Sequence, residues 1–305
     1  VPLINTLPIK TLLIKNGAVP APPSAMRLWP LDALPPLPPL RLAVVGHVEW
    51  VSFVAAEQLP QPGLISHATA FLEEPAGGGA VAAVQLARLL GQPVPFFTAL
   101  GRDAIGEAAA ERLAALGLEL HVAWRERPTR RGISYIDAHG DRSITVIGER
   151  LSPTAADPLP WAELAHCDGV FVTAADLGAL RACRAARLLA ATPRLGLPLL
   201  QEAGVVLDAL IGSGLDPGEA VPEGALEPPP RLRIATEGAA GGEAIPGGRF
   251  VAPALTAPPR DAYGCGDSFA AGVTAGLAAG WSLEQAISLG CHGGAACATR
   301  FGPYP

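Results

Sequence analysis

The run Asp261-Ala262-Tyr263-Gly264-Cys265-Gly266-Asp267-Ser268-Phe269 combines an anion cradle with a carboxylate placed to take a proton. Two glycines flanking one residue let successive backbone N–H groups point into a shared space. Where such a turn opens a helix, those groups and the positive end of the helix dipole favour a phosphate or a developing oxyanion. Asp267 then falls in the first helical turn. From there its carboxylate could accept a proton from a hydroxyl attacking a phosphorus held by the same turn, which is how phosphoryl transfer is catalysed by positioning and electrostatics. The segment also suits a plain helix start capped by Asp267, since Asp is a favoured N-cap residue.

A turn of this kind needs a rigid sheet beneath it, and the chain supplies the elements. Arg41 to Val45 is a short apolar run ending at Gly46, the pattern of a buried parallel strand. Gly77-Gly78-Gly79 opens a helical pattern over Ala80 to Leu90 that closes at Gly91, and Pro93 to Leu100 resumes strand character. Ala104 to Leu116 is a second helix. Ile133 to Asp137 and Ser143 to Ile147 alternate around Ala138-His-Gly-Asp141, which predicts a hairpin; with residues 48 to 72 it could form a small separate sheet. Asp168 to Thr173 predicts another buried strand, Leu177 to Ala191 a helix, and Leu232 to Thr236 a strand entering a glycine-rich turn. Two helices follow, Asp267 to Ala279 and Leu283 to about Thr299, the second opened by the capping box Ser282-x-x-Gln285. Alternation of this kind implies a mostly parallel sheet with helices on both faces and ligands at the carboxyl ends of its strands.

Composition narrows the partners. With 305 residues there is ample material for a large α/β core. The formal net charge of -6, with no dense Lys/Arg stripe, argues against a nucleic-acid binder. No apolar run approaches the roughly 18 to 20 residues that a membrane span needs. Cys167, Cys183, Cys265, Cys291 and Cys297 lack metal-ligand spacing and fit a reduced, cytoplasmic setting. Residues 1 to 40 read as a Pro-rich amino-terminal extension, with Leu34-Pro-Pro-Leu-Pro-Pro-Leu40 as extended chain. Met26 could be the natural start, making residues 1 to 25 an added or read-through segment. A dinucleotide-dependent oxidoreductase is disfavoured because no Gly-x-Gly-x-x-Gly follows the first strand at Gly46.

Taken in order, the segments resemble the ribokinase-like (PfkB-type) carbohydrate kinase family. That family's signature, Asp-Thr-x-Gly-Ala-Gly-Asp-x-Phe, matches residues 261 to 269 except at Ala262 and Cys265. Gly101-Arg-Asp103-x-x-Gly106, the hairpin turn Gly140-Asp-Arg142 and Thr236-x-Gly238-x-x-Gly241 match in the family's usual order, so the similarity spans about residues 41 to 302. It implies a three-layer α/β/α fold with a mostly parallel central sheet and a small β-sheet lid, with lid segments near 48–72 and 121–147. It implies further that Gly264, Cys265 and Gly266 form an anion hole, that Asp267 activates the acceptor hydroxyl, and that Thr236, Gly238 and Gly241 lie along ATP. Asp261 would help hold a monovalent cation such as K+. The family's Asn-x-x-Glu has its nearest counterpart in Asp216-Pro-Gly-Glu219, which makes Glu219 and Asp216 candidates for the Mg2+ waters, although Asp-Pro-Gly is also a strong turn sequence. Such lids often pair to make homodimers.

The acceptor side departs from the family pattern. The Asp expected five residues after the first-strand glycine is Val51, and the Asn of the Gly-Gly-x-x-x-Asn helix start aligns with Val81. Glu49 shares a strand face with position 51 and could bind the acceptor from a shifted position, beside Gly78 and Gly79. His47, Trp50 and His67 are further candidates for contact with it. Loss of both polar anchors predicts poor binding of ribose or fructose, and an acceptor that is less hydroxylated or read by other residues. Cys265 reads as a small spacer whose amide, rather than its sulfur, matters. A non-catalytic nucleotide- or small-molecule-binding protein on the same fold is the alternative, opposed by the intact Gly-x-Gly-Asp.

Overall fold

The computed structural model describes residues 26 to 304 other than His139 and Asp141, so the expectation for residues 1 to 25 and part of the 138–141 turn lie outside the described residues. The chain enters through β1 (Leu42–Val45), crosses to β2 (Glu49–Ala55) and β3 (Ala70–Ala76), and returns through α1 (Gly78–Leu90) to β4 (Val94–Gly101). Next come α2 (Ala104–Ala115), β5 (Leu118–Arg125), the pair β6 (Arg131–Ile136) and β7 (Arg142–Ile147), then β8 (Gly169–Val172), α3 (Leu177–Cys183), β9 (Leu189–Ala191), α4 (Leu197–Ala203) and β10 (Ala209–Ser213). The last third holds β11 (Arg233–Thr236), β12 (Gly242–Ile245), β13 (Gly248–Phe250), α5 (Cys265–Ala278) and α6 (Leu283–Ala298).

Among the described residues these strands form two sheets. The large one runs β13-β12-β11-β10-β9-β8-β1-β4-β5, parallel from β11 to β5 and antiparallel only at the β12 and β13 edge. Strand alternation feeds two cores, as the pleat requires. Leu42, Val44, Phe96 and Phe171 face the layer containing α1, α5 and α6, whereas Ala43, Val45, Phe97 and Val170 face the layer containing α3 and α4. The small sheet runs β3-β2-β6-β7. The three-layer α/β/α arrangement with a small second sheet is therefore as expected. No helix among the described residues is long and apolar enough to cross a membrane.

Two local expectations are corrected. The helix read over Leu177 to Ala191 stops at Cys183, and Leu189–Ala191 becomes a fully buried strand paired with β8 and β10. Arg184 makes the break, donating to the carbonyls of Ala186 and Val206 and to the Asp208 carboxylate, so the chain turns where the apolar pattern alone runs on. Second, residues 121 to 125, expected in the small sheet, pair with β4 in the large one. Residues 26 to 40 run along this frame and are anchored near both ends. Met26 N–H donates to the Arg249 carbonyl, Trp29 N–H donates to the Ser288 hydroxyl, and Leu40 is buried.

Two caps hold the frame around the site. Asp103 accepts from Gly106 N–H at 2.7 Å and from both the N–H and hydroxyl of Thr129, fastening the start of α2 to the strap that leads into β6. The Gly101–Gly106 motif thus works structurally, since a Cβ on Gly106 would collide with the Gly101 carbonyl. The Ser282–Gln285 capping box forms in both directions and sets the start of α6 against α5.

Candidate active site

Gly264 adopts a left-handed conformation (φ 78°) as the residue before α5, a backbone that L side chains rarely take, and so turns the first N–H groups of the helix outward. Around Gly266 a Cβ would meet nothing within 4 Å, so the mouth of the turn is open. Beneath it Val81, fully buried on α1, would lie 2.9 Å from a Cβ on Gly264. The position where the family carries Asn is therefore used here as apolar packing under the anion turn. Val51 is likewise wholly buried, within the core.

The turn is tied to the rest of the site from several directions. Asp261, 1% exposed, accepts from Tyr263 N–H and Gly302 N–H through its two oxygens. Burial raises its pKa, and its visible work is to hold the turn to residue 302. Tyr263 accepts from Gly77 N–H at 3.0 Å, packs edge-on to Phe53 of β2, and lies under the guanidinium of Arg142 from β7, which also donates to the Ala262 carbonyl. The small sheet is thus joined to the anion turn through two residues.

Asp267, third in α5, is not the cap of that helix. Its carboxylate accepts no hydrogen bond from any described residue and points across to the start of α1, where a Cβ on Gly78 would stand 2.7 Å from Oδ1 and 3.7 Å from His47 Cε1. Burial raises the pKa of Asp267 above the ordinary Asp value, against the opposing pull of Arg194, His47 and Arg142. A base with a raised pKa, without a donor among the described residues and beside an open turn of N–H groups, is equipped to take a proton from a ligand.

Glu49 lies at the start of β2 and is 6% exposed. Its Oε1 is 3.5 Å from His47 Nε2 and 3.1 Å from Arg130 Nε. Burial alone would raise the Glu49 pKa, but the His47 hydrogen bond and the nearby charges of His47, Arg130 and Arg150 outweigh it and hold it low. His47 shifts the other way, since burial favours its neutral form, and its Nδ1 has no partner among the described residues. Gly79 serves the backbone, because a Cβ there would meet the His47 N and O at 2.8 Å. Trp50 is partly buried against the core, and His67 lies exposed between β2 and β3.

On the other flank, Ser213 and Thr236 pair in register at the carboxyl ends of β10 and β11. Gly238 and Gly241 follow with positive φ, and Gly241 packs so closely on the Phe250 carbonyl that a side chain has no room. Asp216 and Glu219 lie just beyond β10, but neither is free. Glu219 is buried, accepting from Ser213 N–H at 2.8 Å and pairing with Arg194 Nε at 2.6 Å; Asp216 pairs with Arg194 Nη2 at 3.3 Å. Among the described residues no group of three His, Cys, Asp or Glu side chains could hold a metal ion by itself, so Asp261, Asp216 and Glu219 do not converge. Arg194, which also stands among the charged neighbours of Asp267, was invisible to motif reasoning; its only sequence signal is its place just after a strand. Arg130 and Arg150 were missed for the same reason, while Arg142 lay within the hairpin motif.

Cys265 and Cys297 face each other beside the turn. Cys297 Sγ donates to the Tyr263 carbonyl at 3.2 Å, and the hydrogen bond between the thiols, followed by burial, raises the Cys265 pKa. A protonated thiol is a poor nucleophile. Cys265→Ala is therefore expected to retain kcat and the KM for ATP. A loss on the order of 10²-fold in steady-state kinetics, the scale seen on removing an oxyanion donor, would give the sulfur a direct part.

The large sheet, the helix-opening anion turn and the unpaired carboxylate beside it define an α/β phosphate-binding enzyme. A family model for pfkB family carbohydrate kinases matches residues 40–210 and 225–305, and the chain belongs to that family, a phosphotransferase with an alcohol group as acceptor. Similar folds occur in ribokinase from Thermotoga maritima (20% identity, 87% of this chain and 96% of that one covered, TM-score 0.68). The ribokinase from Cryptococcus neoformans var. grubii serotype A in complex with ADP is also similar (22% identity, 87% and 95% covered, TM-score 0.65). So is adenosine kinase from Sinorhizobium meliloti (19% identity, 88% and 96% covered, TM-score 0.69). A search of curated protein sequences found no match.

Proposed function

We propose that the protein transfers the γ-phosphate of ATP to a hydroxyl of a small sugar-like or nucleoside-like molecule, with Asp267 as base and the Gly264-Cys265-Gly266 turn as anion hole. The observation that carries this reading is the Asp267 carboxylate, which accepts no hydrogen bond from the described residues and stands in the first turn of the helix whose N–H groups open to solvent. ATP would lie along Thr236, Gly238 and Gly241, where glycine lets the backbone approach closely; the similar fold of a ribokinase in complex with ADP is consistent with this. Magnesium supplied with the nucleotide would neutralise negative charge on the phosphates. Asp216 and Glu219, both paired with Arg194, would accept hydrogen bonds from its waters, and Arg194 would add positive charge near Asp267. Asp261 is the side chain nearest in kind to a K+ ligand, a role to be checked by the cation dependence of rate.

The small sheet would act as a lid, carrying Glu49 and Arg142 over the acceptor and excluding water. Its edge strand β7 exposes Ile144 and Val146, which supports pairing of two lids in a homodimer. Val146→Lys should then shift the protein from dimer to monomer in analytical ultracentrifugation, and a wild-type monomer would overturn the pairing. The five unpaired cysteines fit the cytoplasm, where fractionation should find the protein. ADP release with ATP and magnesium across a panel of sugars, nucleosides, polyols and their acids tests the main reading. No phosphorylated product from any of them would sink it.

A further inference from the structure

The acceptor side lacks the family's polar anchors, since Val51 and Val81 are buried in apolar packing. Yet it is not an apolar pocket. Arginines replace those anchors, in a chain whose net charge is -6. Arg130, its side chain only 13% exposed, lies against Glu49, and its Nε is without a well-directed hydrogen-bond partner. Arg150 is accessible, donates to the Arg194 carbonyl at 3.1 Å, and has Arg130, Arg194 and Glu49 as its charged neighbours. Arg130 pairs with Glu49, and the chain leading to Arg150 runs beside it: Arg131 pairs with Ile147 across β6 and β7, and a Cβ on Gly148 would lie 3.9 Å from Arg130 Cα. Two neighbouring guanidiniums beside a single carboxylate leave positive charge that a second anion would offset.

Their position says what the second anion belongs to. Arg194 and Arg142 are among the charged neighbours of Asp267, whereas Arg130 pairs with Glu49. Asp267 Oδ1 and His47 Cε1 flank the same space beside Gly78, His47 Nε2 lies 3.5 Å from Glu49, and Arg130 Nε lies 3.1 Å from Glu49, so Arg130 stands beyond Glu49 from the base. Arg194, paired with Glu219 and Asp216, belongs to the nucleotide flank. A planar guanidinium fork binds carboxylate or phosphate oxygens with two parallel N–H donors, which a neutral hydroxyl cannot match.

Building on the kinase reading, we infer that the acceptor carries an anionic group, a carboxylate or a phosphate monoester, at the end away from its reacting hydroxyl, and that this group binds between Arg130 and Arg150. Glu49 and the unpartnered His47 Nδ1 then face the hydroxyl-bearing middle of the molecule. The acceptor class is a sugar acid or a sugar phosphate rather than a neutral sugar. The buried valines are then no loss, because orientation comes from the charged end.

Two matched pairs separate the sources of the anion: D-gluconate against D-glucitol, and D-fructose 6-phosphate against D-fructose. Binding is read first, by thermal shift of the full chain carrying Asp267→Asn with ATP and magnesium, so that no turnover is needed. The anionic member of at least one pair should raise Tm where its neutral partner does not; equal response in both pairs, or none to either anion, overturns the inference. In active enzyme the anionic member should lead in kcat/KM by roughly ten- to hundred-fold, the scale of a hydrogen bond to a charged group. Arg150→Gln and Arg130→Gln should bring that ratio towards one through KM, with Arg150→Lys keeping part of it. A ratio unchanged in both Gln variants would also overturn it. Turnover of neutral acceptors without response to the anions would leave the kinase reading standing and remove only this inference, whereas no turnover across the whole acceptor panel would remove the kinase reading itself.

Discussion

Asp267→Asn should lower kcat by roughly 10² to 10⁴-fold, the usual contribution of a positioned general base, while the affinity for ATP stays near the wild-type value. The amide keeps the shape of the carboxylate but cannot take the proton. Because burial raises the Asp267 pKa, the wild-type rate should fall on acidification at a pH above the ordinary Asp range. Stability supplies a second readout with the opposite sign. A carboxyl whose pKa is raised by folding favours the fold while protonated, and that contribution is lost as pH rises through the raised value. At neutral pH the wild type therefore holds a half-buried carboxylate without a hydrogen-bond donor among the described residues, a charge that the Asn variant does not carry. The variant should melt higher than the wild type at neutral pH, with the gap closing on acidification. Calorimetry for ATP binding, a pH–rate profile and paired melting curves check the set; full turnover in the variant would remove Asp267 from the base role.

What the sequence could disclose followed from how local each feature is. The anion turn, the α5 start and the Ser282–Gln285 box are made by residues within one stretch of chain, so their chemistry could be read before any tertiary information. The alternation of apolar strands with helical segments gave the layered fold for the same reason. Leu189–Ala191 went the other way: three small apolar residues after a helix carry no periodicity, and only the Arg184 hydrogen bonds and the flanking strands decide their state. The cationic half of the site was hidden more deeply. Arg130, Arg150 and Arg194 come from separate connections and meet only because the small sheet folds over the large one, so no spacing in the chain marks them. The packing of residues 26 to 40 on α6 rests on Trp29 backbone bonds to Ser288 and His292, more than 250 positions away in sequence.

Gly78→Ala should separate stability from catalysis at a residue that takes no part in the chemistry. A Cβ at this position would stand 2.7 Å from Asp267 Oδ1, well inside contact distance. The atom it meets is the far end of a rotatable side chain, so the fold can yield by swinging the carboxylate aside. The backbone there is the first turn of α1, where Ala is a better helix former than Gly. Gly79 differs, because its Cβ would meet the His47 backbone, which cannot swing away. For Gly78→Ala the melting temperature should hold or rise slightly and the KM for ATP should be little changed. The base, however, is displaced from the anion turn, and misplacement by about 1 Å can cost on the order of 10²-fold in rate. Steady-state kinetics with a melting curve on the same preparation reads both effects. A drop in kcat of that size with the fold intact would locate the catalytic contact between the starts of α1 and α5; unchanged kcat would mean that the acceptor hydroxyl is activated from elsewhere.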